Sequence, residues 1–518
     1  MPYPAIIIYI LGLVVLPSFI FWGKRPSKSP PQVKWVGKPG FFMRIWLSLR
    51  GIDERFDQIR HGYRKFNAKG LPFIISDSTF IPLVVTPPEH VKWLIGKPDH
   101  ILTQRTVIRE LLGFKYLLPD LHHGLDVAFT DVVRRHMTRD FGKFQEALYD
   151  ELHQAIDETL GLDQSSQRQV CLPKAMETIV QRSIDRVVFG LPLCRDNGYV
   201  RSWRKFNNSL AIMGVILGLI VPWFLRPFLG WFFRIPVEFW RRRSLKYLTP
   251  IFQERSKQME EQKRKGIPIG SDMPDDFITW YLQAGRNGRF HNPPDYSTIA
   301  MHFHFFCISF YKSTIMTGTS AMLDLLSADP TMGYWEKIIE EAMTEYQTEG
   351  DWLEARTVSK LPYLDSALRE TLRRNPMNIR GIPREIISKE GVTLPSGTHL
   401  PQGTFVTTAV DSLQNDKRFY ENPEEYQPFR FVAHSESTAW PQAGEATSFT
   451  TTNDKFLAFG YGRHGCPGRW FASHVLKLVF AYIAIHYDVQ HIGKPPPKIR
   501  FGDFTIPSLA TTITVRRK

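Results

Sequence analysis

Cysteine is scarce in this chain: Cys171, Cys194, Cys307 and Cys466 are the only four in 518 residues, and no two stand at a paired spacing. That argues against a disulfide framework and for a reducing compartment, where an unpaired thiolate is free to bind a metal. No Gly-x-Gly-x-x-Gly fingerprint follows a strand-like run, so the chain shows no flavin or nicotinamide site of its own. It also lacks a basic helix interleaved with base-stacking aromatics. The net charge of +14, from 65 Lys and Arg against 51 Asp and Glu, therefore needs no nucleic-acid partner. No Gly/Ser-rich linker divides the sequence after residue 50 and no internal repeat appears, which predicts one large domain over 51–518. The proline clusters are short. Pro26 to Pro31 reads as part of a basic, Pro-rich hinge over 24–50, and Pro495 to Pro497 as a turn between terminal strands.

Charge is missing altogether from Met1 to Gly23, and Ala5 to Trp22 is almost wholly aliphatic or aromatic. At ~1.5 Å per residue this gives about 27 Å of helix, close to one bilayer core. Lys24, Arg25 and Lys28 follow at once, and the positive-inside bias keeps them, and the body of the protein, cytoplasmic. A cleaved signal peptide fits poorly, because there is no basic n-region and no small-x-small cleavage site before the basic stop. The expectation is an uncleaved single-pass N-terminal transmembrane anchor over 1–23. A second apolar stretch, Leu210 to Leu225, is interrupted by Gly214, Gly218 and Pro222 and followed by arginines beside Trp223 and Trp231. It reads as a segment dipping into the membrane interface rather than a second span.

The most informative cysteine is Cys466, in Phe459-Gly460-Tyr461-Gly462-Arg463-His464-Gly465-Cys466-Pro467-Gly468. A glycine-rich loop here runs into an apolar helical segment. Cysteine binds metal as the thiolate, and a helix N-terminus lowers its pKa through the aligned backbone dipoles. Pro467 suits a first helical position, which makes Cys466 the expected N-cap. Gly462 and Gly465 let backbone N–H groups approach the sulfur.

The pattern Phe-x-x-Gly-x-(Arg/His)-x-Cys-x-Gly resembles the haem-binding signature of the cytochrome P450 monooxygenases. Two further matches fall in the expected order. Glu370-Thr371-Leu372-Arg373 lies in a segment where Leu364, Ala367, Leu368 and Leu372 keep helical spacing, so Glu370 and Arg373 share a face. Arg430, in Tyr426-Gln427-Pro428-Phe429-Arg430-Phe431 and 36 residues before Cys466, occupies the third place of the family's Glu-Arg-Arg network. Buried carboxylate and guanidinium groups survive only when paired, so breaking one member should unfold the pocket. Arg384 resembles the family's propionate-binding arginine. The resemblance runs from about residue 33 to the end and implies a mainly α-helical fold with small β-sheets.

The oxygen-activating helix conforms least. From Ile299 to Leu326 the chain is apolar, aromatic and free of proline, as a long buried helix requires. The family's Ala/Gly-Gly-x-Asp/Glu-Thr-Thr stretch falls on Ser309-Phe310-Tyr311-Lys312-Ser313-Thr314. Ser313 and Thr314 supply the hydroxyl pair that manages distal protons, unless they merely bond the preceding helical turn. Lys312 replaces the usual acid and Phe310 the usual small residue. His302 and His304, two apart on a helix, cannot face one zinc.

The resemblance implies a haem-thiolate monooxygenase carrying haem b, with Cys466 as axial ligand to iron, Phe459 packed beside the sulfur, and His464 and Arg384 on the propionates. It places Phe306, Phe310, Gly381, Ile382, Phe504 and Ile506 along a lipophilic substrate. It implies dioxygen as co-substrate, electrons from a separate NADPH-cytochrome reductase, and the endoplasmic reticulum membrane with the catalytic domain cytosolic. The run from Arg463 to Ala472 and the basic C-terminus look most like fungal secondary-metabolism members acting on terpenoids and indole diterpenes. Lys312 leaves room for a haem-thiolate isomerase, dehydratase or peroxygenase that needs no external electrons. A non-enzymatic haem sensor is a more remote alternative.

Overall fold

The computed structural model describes residues 29–37, 54–75, 79–119, 127–285, 296–432 and 447–518. The anchor expected over 1–23 lies outside these, as does most of the 24–50 hinge. Among the described residues no helix is long and apolar enough to cross a membrane.

The chain is mainly helical, as expected. The helices that build the site are α1 (Glu54–Lys65), α2 (Arg105–Leu111), α3 (Val127–Arg139), α4 (Leu172–Val188) and α5 (Asn197–Leu219). They continue with α6 (Arg226–Arg264), α7 (Phe277–Ala284), α8 (Tyr296–Leu326), α9 (Pro362–Arg374) and α10 (Arg469–His486). α8 runs through the helical core, packing on α4, α6, α9 and α10. With no proline to interrupt it, it can bury Phe303, Cys307, Ala321 and Leu325 along its length. α9 begins with Pro362 at its first turn and ends with Arg373 and Arg374 in its last, an order that suits both the free N–H groups and the dipole.

The strands form a smaller second core. A six-stranded mixed sheet has the order β1 (Lys34–Val36), β2 (Phe73–Ile75), β3 (Leu83–Thr86), β9 (Phe405–Ala409), β6 (Arg380–Ile386), β4 (Leu102–Thr103). A three-stranded sheet joins β10 (Tyr487–Val489), β13 (Thr512–Arg517) and β5 (Arg168–Cys171). Two hairpins complete the set, β7 (Val392–Thr393) with β8 (His399–Leu400) and β11 (Ile499–Phe501) with β12 (Phe504–Ile506). The β6–β9 register shifts between Gly381 and Arg384, and within that bulge Ile382 takes φ 46°. A β-branched residue there is strained, and strain of this kind collects at functional sites.

The glycines of the second apolar stretch act differently from the expectation. α5 continues unbroken through Gly214 and Gly218 to Leu219. Their role is close approach: a Cβ on Gly218 would stand 2.0 Å from the Leu111 carbonyl oxygen, so only glycine lets α5 lie on α2 at this point.

Candidate active site

The loop around Cys466 is turned by Gly460 and Gly462, at φ 71° and 72°. The Cys466 N–H donates to the Phe459 carbonyl at 2.8 Å, which brings Phe459 beside the cysteine, its ring edge-on to Phe449 at 5.2 Å. α10 starts at Arg469 with Gly468 as its N-cap, so the expected N-cap at Cys466 and first helical position at Pro467 are each displaced. Pro467 and Gly468 form a turn instead. Setting the sulfur ahead of the helix leaves the Gly468 and Arg469 N–H groups free to point at it.

Burial pushes the Cys466 thiol up, and those two N–H groups with the Arg469 guanidinium oppose the shift without reversing it. The helix end alone therefore does not hold a thiolate here; a cation on the sulfur would. Cys466 lies deep in the molecule and yet is exposed, as a residue lining a cavity or cleft is. The distal helix shows the same sign. Ser309 is exposed and Ser313, one turn on, half-exposed, while Phe310 and Thr314 next to them on α8 are buried.

The Glu-Arg-Arg network is complete. Arg373 donates bidentately to Glu370, Nε to Oε2 at 2.7 Å and Nη2 to Oε1 at 2.8 Å. Arg430 Nε reaches the same carboxylate at 3.2 Å. Neither Glu370 nor Arg373 shows any exposed side chain, and the remaining arginine protons go to the carbonyls of Gln414, Pro423 and Glu421. Isolated surface pairs at this helical spacing contribute a few tenths of a kcal/mol; this one is a satisfied buried cluster.

Arg384 is the opposite case. It is 2 % exposed, and its Nη1 donates to Gln104 Oε1 at 3.0 Å and to the Pro383 carbonyl at 2.9 Å. Among the described residues no carboxylate lies within ion-pair distance, and burial pushes the guanidinium down to about 10. His464 contacts Asp99 Oδ1 at 2.7 Å, and Arg463 also reaches Asp99, at 3.1 Å. Burial would raise the Asp99 carboxyl, but His464 and Arg463 hold it below its usual range. The sequence pattern did not reveal Asp99, 365 residues from its partner.

On α8, Ser313 donates to the Ser309 carbonyl at 3.3 Å and Thr314 to the Phe310 carbonyl at 2.8 Å, the local bonding weighed in the sequence. Lys312 points to α4, where its Nζ is 3.3 Å from Glu177 Oε1. Phe310 is buried rather than open, stacked on Phe129 at 5.7 Å and edge-on to Phe471 at 5.9 Å. The Phe306 side chain lies outside the described residues. Gly381 abuts Val410, Ile382 is buried, and Phe504 and Ile506 are half-exposed on β12, which is bridged to Asn378 just ahead of β6.

A buried cysteine open to a void, with two N–H groups on its sulfur, and a buried arginine lacking a carboxylate fit an iron porphyrin with its thiolate and propionate contacts. Fold and site together define a haem-thiolate protein. The Cytochrome P450 family model matches residues 82–515, and the chain belongs to that family. It is 47% identical over 520 residues, 98% of this chain and 97% of the relative, to the cytochrome P450 monooxygenase nodZ of Hypoxylon pulicicidum. To the cytochrome P450 monooxygenase polB of Polytolypa hystricis it is 34% identical, over 95% of this chain and 94% of the relative. To lnaC of Aspergillus flavus it is 32% identical, over 98% and 95%. The protein is a cytochrome P450 monooxygenase, an oxidoreductase of a haem-carrying family.

Proposed function

We propose that this enzyme is membrane-bound at the endoplasmic reticulum and oxidises a lipophilic small molecule of fungal secondary metabolism, a terpenoid or indole diterpene, with dioxygen and electrons from an NADPH-cytochrome reductase. The observation that carries the haem-thiolate chemistry is Cys466, buried in the protein and open to the void. When bound, haem supplies oxygen activation, which thiolate ligation favours by pushing electron density onto iron. Cys466 holds the iron, and the Gly468 and Arg469 N–H groups steady its sulfur. Arg384 offers its charge to a propionate, and His464, anchored by Asp99, lies on the same loop as the thiolate. Ser313 exchanges its hydroxyl bond between the Ser309 carbonyl and water, and so holds a proton at the void-facing side of α8.

Membrane association is supported by α6. Phe228, Trp231, Phe232, Ile235 and Phe239 recur at helical spacing and are all exposed, Trp231 by 65 %. Arg234 and Arg241 to Arg243 stand within or beyond them. An apolar stripe flanked by arginines suits a lipid interface, with rings among the headgroups and basic stems snorkelling. The anchor expected over 1–23 and the cytosolic orientation belong to the same reading. On the thiolate side, Arg134, Arg135, Arg139, Arg356 and Arg463 are exposed, Arg139 and Arg356 lining a groove of about 860 Å³ with Trp470, Glu354 and the buried Lys477, which is paired with Asp365. A basic face of this kind suits an acidic electron-donating partner.

The test is the reduced carbon-monoxide difference spectrum of enzyme expressed with a reductase in microsomes. The thiolate-type band is expected in the wild type and lost in Cys466→Ala; its persistence in that variant would overturn the assignment. Turnover that continues without reductant would favour the isomerase or peroxygenase chemistry instead.

A further inference from the structure

A helix leaves its last carbonyls without intrahelical partners. At the end of α5 two buried arginines from other elements take them. Arg226, the first residue of α6 and 0 % exposed, donates Nη2 to the Gly218 carbonyl at 2.8 Å and, two residues beyond the helix, Nε to the Val221 carbonyl at 3.0 Å. Arg55, from α1, donates Nη2 to the Leu219 carbonyl between them at 3.0 Å. Each arginine is also tied to a buried acid. Arg226 Nη1 meets Glu110 of α2 at 3.0 Å, and Arg55 Nη1 meets Asp503 at 3.3 Å.

The acids decide what the end of α5 is joined to. Asp503 sits in the turn of the β11–β12 hairpin, next to Phe504, and also accepts from Arg380 Nε at 3.0 Å, next to Gly381 and the strained Ile382. Burial would raise the Asp503 carboxyl, but Arg380 and Arg55 hold it below its usual range. The turn presses on the helix end: Gly502 has φ 61°, and a Cβ there would lie 2.8 Å from Leu219 Cδ1. On the other side α5 lies on the α2 backbone at Gly218, and the Trp223 N–H beyond it donates to the Thr79 carbonyl at 3.0 Å.

Positive charge at a helix C-terminus is favourable, but one surface cation would serve that purpose. Two desolvated arginines, each needing its own buried acid, are costly, and the best-attested use of such groups is to fix one geometry among several. The exposed aromatic stripe of α6 begins at Phe228, two residues after Arg226. The clamp therefore lies between the surface proposed to meet lipid and the two segments, 381–382 and 504–506, proposed to meet substrate.

We propose that Arg55 and Arg226, held by Asp503 and Glu110, are positioning residues that fix the end of α5 as a size filter on the substrate chamber. This rests on the haem-thiolate reading of that chamber. The test titrates the microsomal enzyme with 4-phenylimidazole and with the bulkier clotrimazole, following the shift of the haem absorption band. Arg55→Lys and Arg226→Lys keep the charge but shorten the reach and lose the planar fork. Arg255→Lys is the control, since Arg255, elsewhere on α6, makes a similarly buried pair with Asp276, the N-cap of α7. Loosening the filter should lower the ratio of the clotrimazole Kd to the 4-phenylimidazole Kd by about fivefold in the Arg55 and Arg226 variants, and change it by less than about twofold in Arg255→Lys.

A ratio unchanged in Arg55→Lys, or moved equally in Arg255→Lys, overturns the proposal and leaves the clamp a purely stabilising device. Arg55→Lys decides the matter if Arg226→Lys does not fold. The carbon-monoxide band is recorded for every variant; a wild type lacking it fails the haem-thiolate reading itself, whereas a normal band with an unmoved ratio fails only this one.

Discussion

Glu370, Arg373 and Arg430 form one set of buried charge, and Arg384 forms another. In the first, the carboxylate takes both arginines and the spare guanidinium protons find backbone carbonyls. In the second, a guanidinium just as deeply buried has only an amide oxygen and a carbonyl. Desolvating an ion costs several kcal/mol, and a protein recovers it only by pairing. A charge the fold has paired therefore serves the protein's own geometry. One it has left unpaired marks where a ligand brings the opposite charge, and Cys466, open to the void, marks the same ligand from its other side.

The largest expected effect comes from breaking the closed set. Glu370→Gln leaves two buried arginines without a carboxylate and should cost about 3–5 kcal/mol of stability, read as the free energy of urea unfolding and as a fall in soluble yield. Arg384→Met should behave in the reverse manner. Removing an unpaired buried charge should leave the unfolding midpoint of the haem-free protein unchanged or higher. Haem transfer to apomyoglobin should accelerate about 10–100-fold, the worth of one charge-assisted hydrogen bond. Equal destabilisation by the two variants would erase the distinction between them.

The same rule extends to apolar surface. Phe129 and Phe303 are paired with other rings in the core, whereas the α6 stripe faces outward. Trp231→Glu in a chain shortened to begin at Ser29 should weaken binding to anionic vesicles by about tenfold, as expected for a buried aromatic lost from lipid. Co-sedimentation measures it, and unchanged binding would return the stripe to ordinary surface.

How much of this was legible in the sequence follows from distance along the chain. Glu370 and Arg373 are three apart on a helix whose apolar residues keep period, and Cys466 lies among glycines at fixed offsets. Local spacing therefore brought out the thiolate loop and the Glu370–Arg373 pair, while the family resemblance implied Arg430 as the third member and the mainly helical fold. What stayed hidden depends on chain segments meeting. Asp99 lies beside His464, Glu177 takes the Lys312 ammonium away to α4, and Arg55 caps a helix 164 residues away. Gly214 and Gly218 looked like helix interruptions because their need, the backbone of Leu111 and Leu112, is over 100 residues distant. The start of α10 falls two residues later than expected because Pro467 fits a first helical position and a preceding turn equally well.

Asp185 is the intermediate case and should give the smallest effect. Wholly buried on α4, it accepts from the Tyr311 hydroxyl at 2.6 Å and from Gln181 at 3.4 Å, with Arg204 acting only through space. Burial dominates these bonds and raises its carboxyl from 3.8 to about 7. An acid whose folded pKa is raised holds its proton in the native state after the unfolded chain has released it. Its contribution is thus fully present below the unfolded value and lost as pH climbs towards about 7. From pH 6 to 7 this one group should remove about 1 kcal/mol, and Asp185→Asn, which keeps an acceptor for Tyr311, should flatten that part of the stability profile. Were the slope unchanged in the variant, Asp185 would be ionised in the native protein. It would then belong with Glu370 among charges the fold has paired, and Arg204 would be the partner to examine.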